Sequence, residues 1–343
     1  MPKTITLAQS FAEAISINNL NYIMLKRRDK NEMPPLSFKK VFCIFAMLDK
    51  MLGGDGLSPE KSKFWKADET TDEELRKKYA SQVPHDEILD EIIVSTNPIS
   101  EERLEKWTIV VFSETFFSDD PWDDVDVEKV KKCCRLLTSK HERLIISTNF
   151  LHKYEGASNT PSICEPPANE YIRSGEKAKL LQNRNSNLRF SNCSFIFWNN
   201  AAISCYRKTT YKEEDDNLVK AGYGYDFGDW KSYQTPELAE ASDNHKEFAE
   251  LFNSSEKQII ASRTCSDMNH TPNLLQHVRL LILTANGSPE ITYWINKIGN
   301  AILCVCDADR GNFMVISGRV KCTVQKQVSA FIQNELQCVV TEC

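Results

Sequence analysis

Residues 108–114 read TIVVFSE. The first six are apolar and rich in β-branched side chains, the pattern of a buried strand. The run then stops at a carboxylate, Glu114. Downstream, an acidic loop, DDPWDDVD (119–126), leads into VEKVKKCCRLLTSKH (127–141), which has helical periodicity, and RLIISTNF (143–150) is a strand again. CSFIFW (193–198) and AISCYRK (202–208) flank Asn199-Asn200, a hairpin turn by composition. KQIIASRT (257–264), VRLLILTA (278–285), AILCVCDA (301–308) and FMVISGRV (313–320) are further strands. SPEITYWINKIG (288–299) opens with Ser-Pro, a good helix start, and DRGN (309–312) is a turn. Strands and helices alternate with hairpins mixed in. That predicts an α/β layered protein with a mixed sheet or two sheets.

Upstream the pattern differs. SFAEAISINNLNYIMLKRR (10–28) has apolar residues at helical spacing, TTDEELRKKYASQ (70–82) starts with a cap and acidic first turn, and ISEERLEKW (99–107) reads as a third helix. LGGDGLSPEKSK (52–63) is a loop by its Gly, Asp and Pro content. Residues 1–106 are therefore expected to form a mostly helical N-terminal segment packed on a core built from 107–343.

The 343 residues are 41% hydrophobic and 26% charged, a globular balance long enough for one large domain or two ordinary ones. No apolar run approaches the ~20 residues that span a bilayer. The start, MPKTITLAQSFAEAIS, lacks the parts of a secretory signal. A soluble, cytoplasmic protein with no membrane partner is expected. The net charge of −6 argues against a general nucleic-acid binder, and the short cluster Lys26-Arg27-Arg28 reads as a solvated surface patch. The twelve cysteines are scattered, several inside apolar runs, as free thiols are in a reducing compartment. Neither Cys133-Cys134 nor Cys304-Val305-Cys306 has the spacing of a zinc site, so no metal and no cofactor are expected.

Three predicted strands end in chemically capable residues: Glu114 after TIVVFS, Lys208 in AISCYRK, and Cys265 after IIASRT. Open α/β sheets place their sites at such ends. Taken singly, each has a bland reading as a loop residue, a surface ion pair or a core thiol. Together they can do acyl transfer. A thiolate is a strong nucleophile. A nearby carboxylate can take its proton and return it to a leaving amine. An ammonium can stabilise the oxyanion, and the backbone N–H of Ser266, next after the thiol, is placed to be a second donor.

The order Glu114, Lys208, Cys265 resembles the Glu-Lys-Cys triad of the carbon–nitrogen hydrolase (nitrilase-like) superfamily. IVVFSETFF resembles its strand-Glu motif, NCSFIFWNNAAISCYRKTTYKEE its hairpin ending in the catalytic lysine, and IIASRTCSDMN its nucleophile elbow with Cys-x-Asp. LLILTAN (280–286) resembles the strand after the elbow, and NAILCVCDADRGNFMVISGRV the late hairpin, with Asn300 and Ser317-Gly318 in the expected places. The resemblance covers about 107–322. It implies a four-layer α-β-β-α sandwich, a catalytic domain over 107–343, attack of the cysteine on an amide, nitrile or carbamoyl carbon, a thioester, and hydrolysis by a Glu-activated water. It also implies a second glutamate after the lysine, Glu214 or Glu213, and a homodimer, since members usually dimerise. YIMLKRRD or VFCIFAML would supply the family's opening strand.

The chain departs from the family at Ser113, where proline is usual, at Ala261-Ser262-Arg263-Thr264, where a glycine is usual, and at MNHTPN after Cys-x-Asp. The expected partner is a small amide-type substrate. Acidic runs at 119–126 and 213–216 follow Glu114 and Lys208, and a cleft ringed by them favours a cationic one. Asp267 reads as a cap for the helix after the elbow, and His270 and His277 offer a weaker Cys-His reading. Rival functions are nitrile or carbamoyl hydrolysis or acyl transfer on the same triad, and a binding or regulatory protein that has lost catalysis. A further rival is a protein-modifying effector, delivered into another cell, whose N-terminal segment recognises a protein substrate.

Overall fold

The computed structural model describes residues 5–27, 36, 38–54, 105–117, 124–155, 188–209, 224–225, 232–233, 235–238, 241–253, 258–265, 267, 277–285, 301–307, 313–317, 320–321, 324–331 and 336–342. In chain order the elements are α1 (Leu7–Ser16), β1 (Leu20–Arg27), α2 (Phe38–Met51), β2 (Trp107–Phe112), α3 (Asp124–Lys140), β3 (Leu144–Glu155), β4 (Leu188–Trp198) and β5 (Ala201–Arg207). There follow β6 (Gly224–Tyr225), β7 (Ser232–Tyr233), a 3-10 turn at Pro236–Leu238, α4 (Asp243–Asn253), β8 (Ile260–Thr264), β9 (Leu280–Ala285) and β10 (Ile302–Asp307). The chain closes with β11 (Phe313–Ser317), β12 (Val320–Lys321), β13 (Val324–Phe331) and β14 (Leu336–Glu342).

The result is a mixed α/β protein with two sheets. The larger sheet has the order β13-β14-β1-β2-β3-β4-β5-β7, with β6 beside β4, and the smaller runs β12-β11-β10-β9-β8. In the larger sheet β1, β2 and β3 are parallel, and antiparallel strands flank them on both sides. In the smaller, β8, β9 and β10 are parallel and β11 turns back. Strands β1, β2, β8, β9 and β10 are buried at every position, polar residues included.

Period-2 alternation divides the core. Ile23, Leu25, Val110, Phe112 and Ile146 point toward α2 and α3 on one face of the larger sheet. Tyr22, Met24, Ile109, Val111 and Ile145 point the other way, onto Ile260, Leu280, Ile282, Ile302 and Cys304 of the smaller sheet. The helices α1 and α4 add to this second layer through Phe11 and Phe248, whose rings stack at 5.4 Å. Thr6 and Gln9 form a capping box on α1, and Thr6 Oγ1 also donates to Glu247 Oε1 at 2.9 Å, tying the helix to α4.

The first 106 residues differ from the helical expectation where they are described. The run over 10–28 is helical only to Ser16, and Leu20–Arg27 is a strand inserted between β14 and β2. All eight of its residues are buried, so its apolar pattern is continuous and mimics a helix. YIMLKR is thus the opening strand, and VFCIFAML lies in α2. For the same reason Lys26 and Arg27 are not a surface patch: they are 7% and 3% exposed at the end of a central strand. The helices read at 70–82 and 288–299 and the turn at 309–312 lie outside the described residues, as does all but the end of 99–107. The C-terminal hairpin β13–β14 and helix α4 were not anticipated.

The hairpin β4–β5 turns where predicted. Asn199 and Asn200 have φ of 45° and 66°, the two left-handed positions such a turn requires and asparagine tolerates. At the same end of the sheet, where Asn200 N–H donates to Thr138 Oγ1, the fully buried Asp49 accepts from Lys140 Nζ at 2.8 Å and pairs with His141 Nε2 at 2.7 Å, joining the ends of α2 and α3. Burial works to raise its carboxyl, and the bonds from His141 and Lys140 outweigh that and hold it below the ordinary carboxylate range. An Asp49→Ala chain is expected to lose about 2–3 kcal/mol in urea unfolding at neutral pH. The difference from the parent disappears as pH falls through the lowered folded value, because only the ionised carboxylate contributes.

Candidate active site

β1, β2 and β3 of the larger sheet and β8, β9 and β10 of the smaller end on the same side of the sandwich. Cys306 near the end of β10 reaches the Leu25 carbonyl of β1 at 3.3 Å, and Thr264 at the end of β8 reaches Ser194 of β4. Glu114 lies two residues past β2, where the chain turns sharply: Phe116 N–H donates to the Ser113 carbonyl, and Thr115 is left-handed at φ 56°. Lys208 follows β5, and its backbone N–H donates to the Asn192 carbonyl of β4 at 2.8 Å.

That register brings three side chains together. Lys208 Nζ donates to Glu114 Oε1 at 2.7 Å, and Asn192 Nδ2 donates to the same oxygen at 2.9 Å. Lys208 and Glu114 are 2% and 4% exposed, so the pair is buried and far from the surface ion pair that either residue alone would suggest. Among the described residues nothing bonds Glu114 Oε2.

Cys265 ends β8 in the left-handed region, at φ 44°. A non-glycine residue held there is strained, by on the order of 1–3 kcal/mol, and such strain concentrates at functional turns. Its side chain is fully buried and groups with Ala261, Leu281, Leu283, Leu303 and Val305. Its neighbours tie it to the β4–β5 hairpin that leads to Lys208. Before it, Thr264 Oγ1 meets Ser194 Oγ at 2.9 Å. After it, Asp267 accepts from Tyr206 Oη at 2.5 Å, from Thr209 N–H at 2.9 Å and from Thr209 Oγ1 at 3.0 Å, bonds that bracket Lys208 in the chain. Burial and the adjacent Asp267 push the Tyr206 phenol well up, which keeps it a donor. The guanidinium of Arg263 lies 4.6 Å over the Tyr206 ring and is itself 2% exposed. Arg263 therefore braces the tyrosine that holds Asp267.

Solved structures similar to this chain include an amidase from Nesterenkonia sp., with a TM-score of 0.46 and 8% identity over 95% of this chain and 90% of that one. A second structure of a Nesterenkonia AN1 amidase, described as from the nitrilase superfamily, also has a TM-score of 0.46 and 8% identity, over 95% and 91%. A glutamine-dependent NAD(+) synthetase from Cytophaga hutchinsonii has a TM-score of 0.38 and 7% identity over 94% of this chain and 42% of that one. No family model and no curated protein matches the sequence. At long range, this chain is similar to nitrilase-superfamily amidases.

Of the other predicted residues, Glu213, Glu214, Ser266 and His270 lie outside the described residues, as do Asn300, Gly318 and both acidic runs apart from the backbone of 124–126. His277 is exposed, and Asp267 is used across the site rather than along its own chain. Sequence reading missed Asn149, Asn192, Ser194 and Thr264. Their signal was present as polar side chains at alternate positions in the otherwise apolar runs IISTNF and SNCSFIF. Among the described residues no cluster of His, Cys, Asp and Glu could hold a metal ion, and no helix is long and apolar enough to cross a membrane.

The cysteines whose side chains are described are all buried, as thiols outside any disulfide. Burial pushes Cys133 and Cys338 up to about 12. Cys193 goes the other way. Facing the α2–α3 side of β4, it is held well below the ordinary thiol range by a hydrogen bond from Cys205, against burial, with help from Arg207, Ser191 and His152. A depressed folded value means that this contribution to stability is complete above the ordinary thiol range and is lost as pH falls through the lower folded value. Thermal stability of a Cys193→Ser chain is therefore expected to match the parent at acid pH and fall behind it as pH rises toward 9, the ordinary thiol value.

Proposed function

We propose that this chain is a thiol-dependent amidohydrolase acting on a non-peptide C–N bond. One observation carries the reading: a buried Glu114–Lys208 pair at 2.7 Å, with the β4–β5 hairpin that leads to Lys208 hydrogen-bonded to Thr264 and Asp267, before and after a left-handed Cys265. Cys265 is the nucleophile. Its thiol proton passes to Glu114 Oε2, the oxygen left open by Lys208 and Asn192, as the sulfur bonds to the substrate carbonyl carbon. An ammonium has three donors, and Glu114 takes one. Lys208 stabilises the developing oxyanion with another, beside the Ser266 N–H. Collapse of the tetrahedral adduct breaks the C–N bond, and Glu114 returns the proton to the departing amine. Water then attacks the thioester, giving its proton to Glu114, and the acid leaves as the thiol is restored. Glu214 or Glu213, following Lys208, supports this geometry.

The scaffold we infer is the four-layer α-β-β-α sandwich. The acidic runs at 119–126 and 213–216, which follow Glu114 and Lys208 in the sequence, favour an amine-bearing substrate. The test is ammonia release from small primary amides that differ in charge, run beside the matching nitriles, with the acyl-enzyme trapped for mass measurement. The expected result is turnover of amides, fastest for cationic members at low salt, and an acyl mass on the peptide containing Cys265. No acyl mass on that peptide with any amide or nitrile contradicts the proposal. Equal rates for cationic and anionic amides contradict the charge preference alone.

A further inference from the structure

We propose that Asn149 is a positioning residue that fixes the direction of the hydrogen bonds ending on Glu114 and so reserves Oε2 for proton transfer. This rests on the roles given above to Cys265 and Glu114. Asn149 lies on β3 and is 1% exposed, and Asn192 on β4 is 3% exposed. Asn149 Oδ1 accepts from the backbone N–H of Thr115 at 3.3 Å. Its Nδ2 donates to Asn192 Oδ1 at 2.5 Å and to Ser194 Oγ at 3.2 Å. Asn192 Nδ2 then donates to Glu114 Oε1.

Each bond in this circuit forces the next. A backbone N–H can only donate, so the Thr115 bond decides which end of the Asn149 amide is oxygen. The nitrogen end must then face Asn192, and Asn192 must present its oxygen to it. That leaves the Asn192 nitrogen for Glu114, whose ionised carboxylate can only accept. Reversing either amide sets acceptor against acceptor or donor against donor between two buried side chains. Thr115 directly follows Glu114, so the circuit begins and ends on the same turn, and the left-handed backbone of Thr115 is part of it. With Lys208 and Asn192 both committed to Oε1, the carboxylate is left with one face for the thiol.

Among the described residues, the charged and titratable groups at this end of the two sheets include Glu114 after β2, Arg207 on β5 and Lys208 after it, Lys26 and Arg27 on β1, Arg263 on β8, Asp267 after it, Asp307 on β10 and His152 on β3. The proposed test changes none of them. In Asn149→Asp the new carboxylate still accepts from Thr115, but it captures the Asn192 nitrogen as well. Asn192 then turns its oxygen toward Glu114, and the charged carboxylate loses a donor that favours it.

The readout is the rate of Cys265 alkylation by iodoacetamide as a function of pH, followed by peptide mass spectrometry, with thermal melts run alongside. The acid limb of that profile is expected to move up by about one pH unit in Asn149→Asp. Asn149→Ser adds no charge and carries the same test should the aspartate chain not fold, with a smaller upward shift. A lower melting temperature with an unmoved limb in either folded variant overturns the positioning role alone. A parent chain in which Cys265 reacts no faster than the other thiols overturns the parent reading, and this inference with it.

Discussion

A Cys265→Ala chain is expected to fold as the parent does and to lose amide turnover by about 10⁴-fold or more. The two halves of that expectation have separate causes. The side chain is fully buried among Ala261, Leu281 and Leu283, so removing one sulfur leaves a small apolar gap that costs about 1–2 kcal/mol. Alanine meets the same left-handed backbone strain at φ 44° as cysteine does, so the turn gains or loses little. The bonds that hold the elbow, from Thr264 to Ser194 and from Tyr206 and Thr209 to Asp267, do not involve the thiol. The proposed chemistry, by contrast, runs through that sulfur. Melting temperature and ammonia release measured on one preparation check both halves. Retained turnover would remove Cys265 from the mechanism.

A Lys208→Met chain is expected to lose both stability and activity. Glu114 would be left at 4% exposure with only Asn192 bonded to it. Breaking a buried pair from one side costs about 3–5 kcal/mol, because the remaining charge has neither water nor a counter-ion. Activity falls by a further 10²–10³-fold or so, through loss of the oxyanion partner. The double variant Glu114→Gln/Lys208→Met separates the two effects. It removes the orphaned charge and is expected to recover most of the stability while leaving turnover absent. Urea unfolding of the two single variants and the double variant gives the coupling directly. A Lys208→Met chain as stable as the parent would show that the pair is not buried in solution.

How much of this was legible beforehand follows from what each pattern encodes. The strand TIVVFS, the Asn-Asn hairpin and the strand IIASRT were readable because apolar runs and turn residues act locally. The three chemical residues were readable because each sits where such a run stops. Leu20–Arg27 was read by its spacing as the tail of a helix and only through the resemblance as an opening strand, because a strand buried on both faces has no alternation to show, and its flanking charges looked like surface. Burial of Lys26 and Arg27 is decided by neighbours far away in sequence, β14 and β2. The asparagine circuit was hidden for the same reason. Asn149, Asn192 and Thr115 come together only through strand register, and one sequence shows polar residues in apolar runs without showing what they face. Asp267 was given the local role its spacing allowed, and the fold uses it across the site instead.

The central claim is that Glu114 and Lys208 serve the thiol of Cys265, and iodoacetamide labelling near neutral pH tests it most directly. The structure contains a second candidate for fast labelling, Cys193, whose thiol is held low but lies on the far face of β4. Site-resolved mass spectrometry over time, on the parent and on Glu114→Gln, distinguishes the two. The account predicts that Cys265 reacts far faster than every other cysteine, that a small amide protects it, and that Glu114→Gln slows it by about 10²-fold or more. Labelling of Cys265 at the rate of the other thiols, or at a rate indifferent to Glu114, would contradict it.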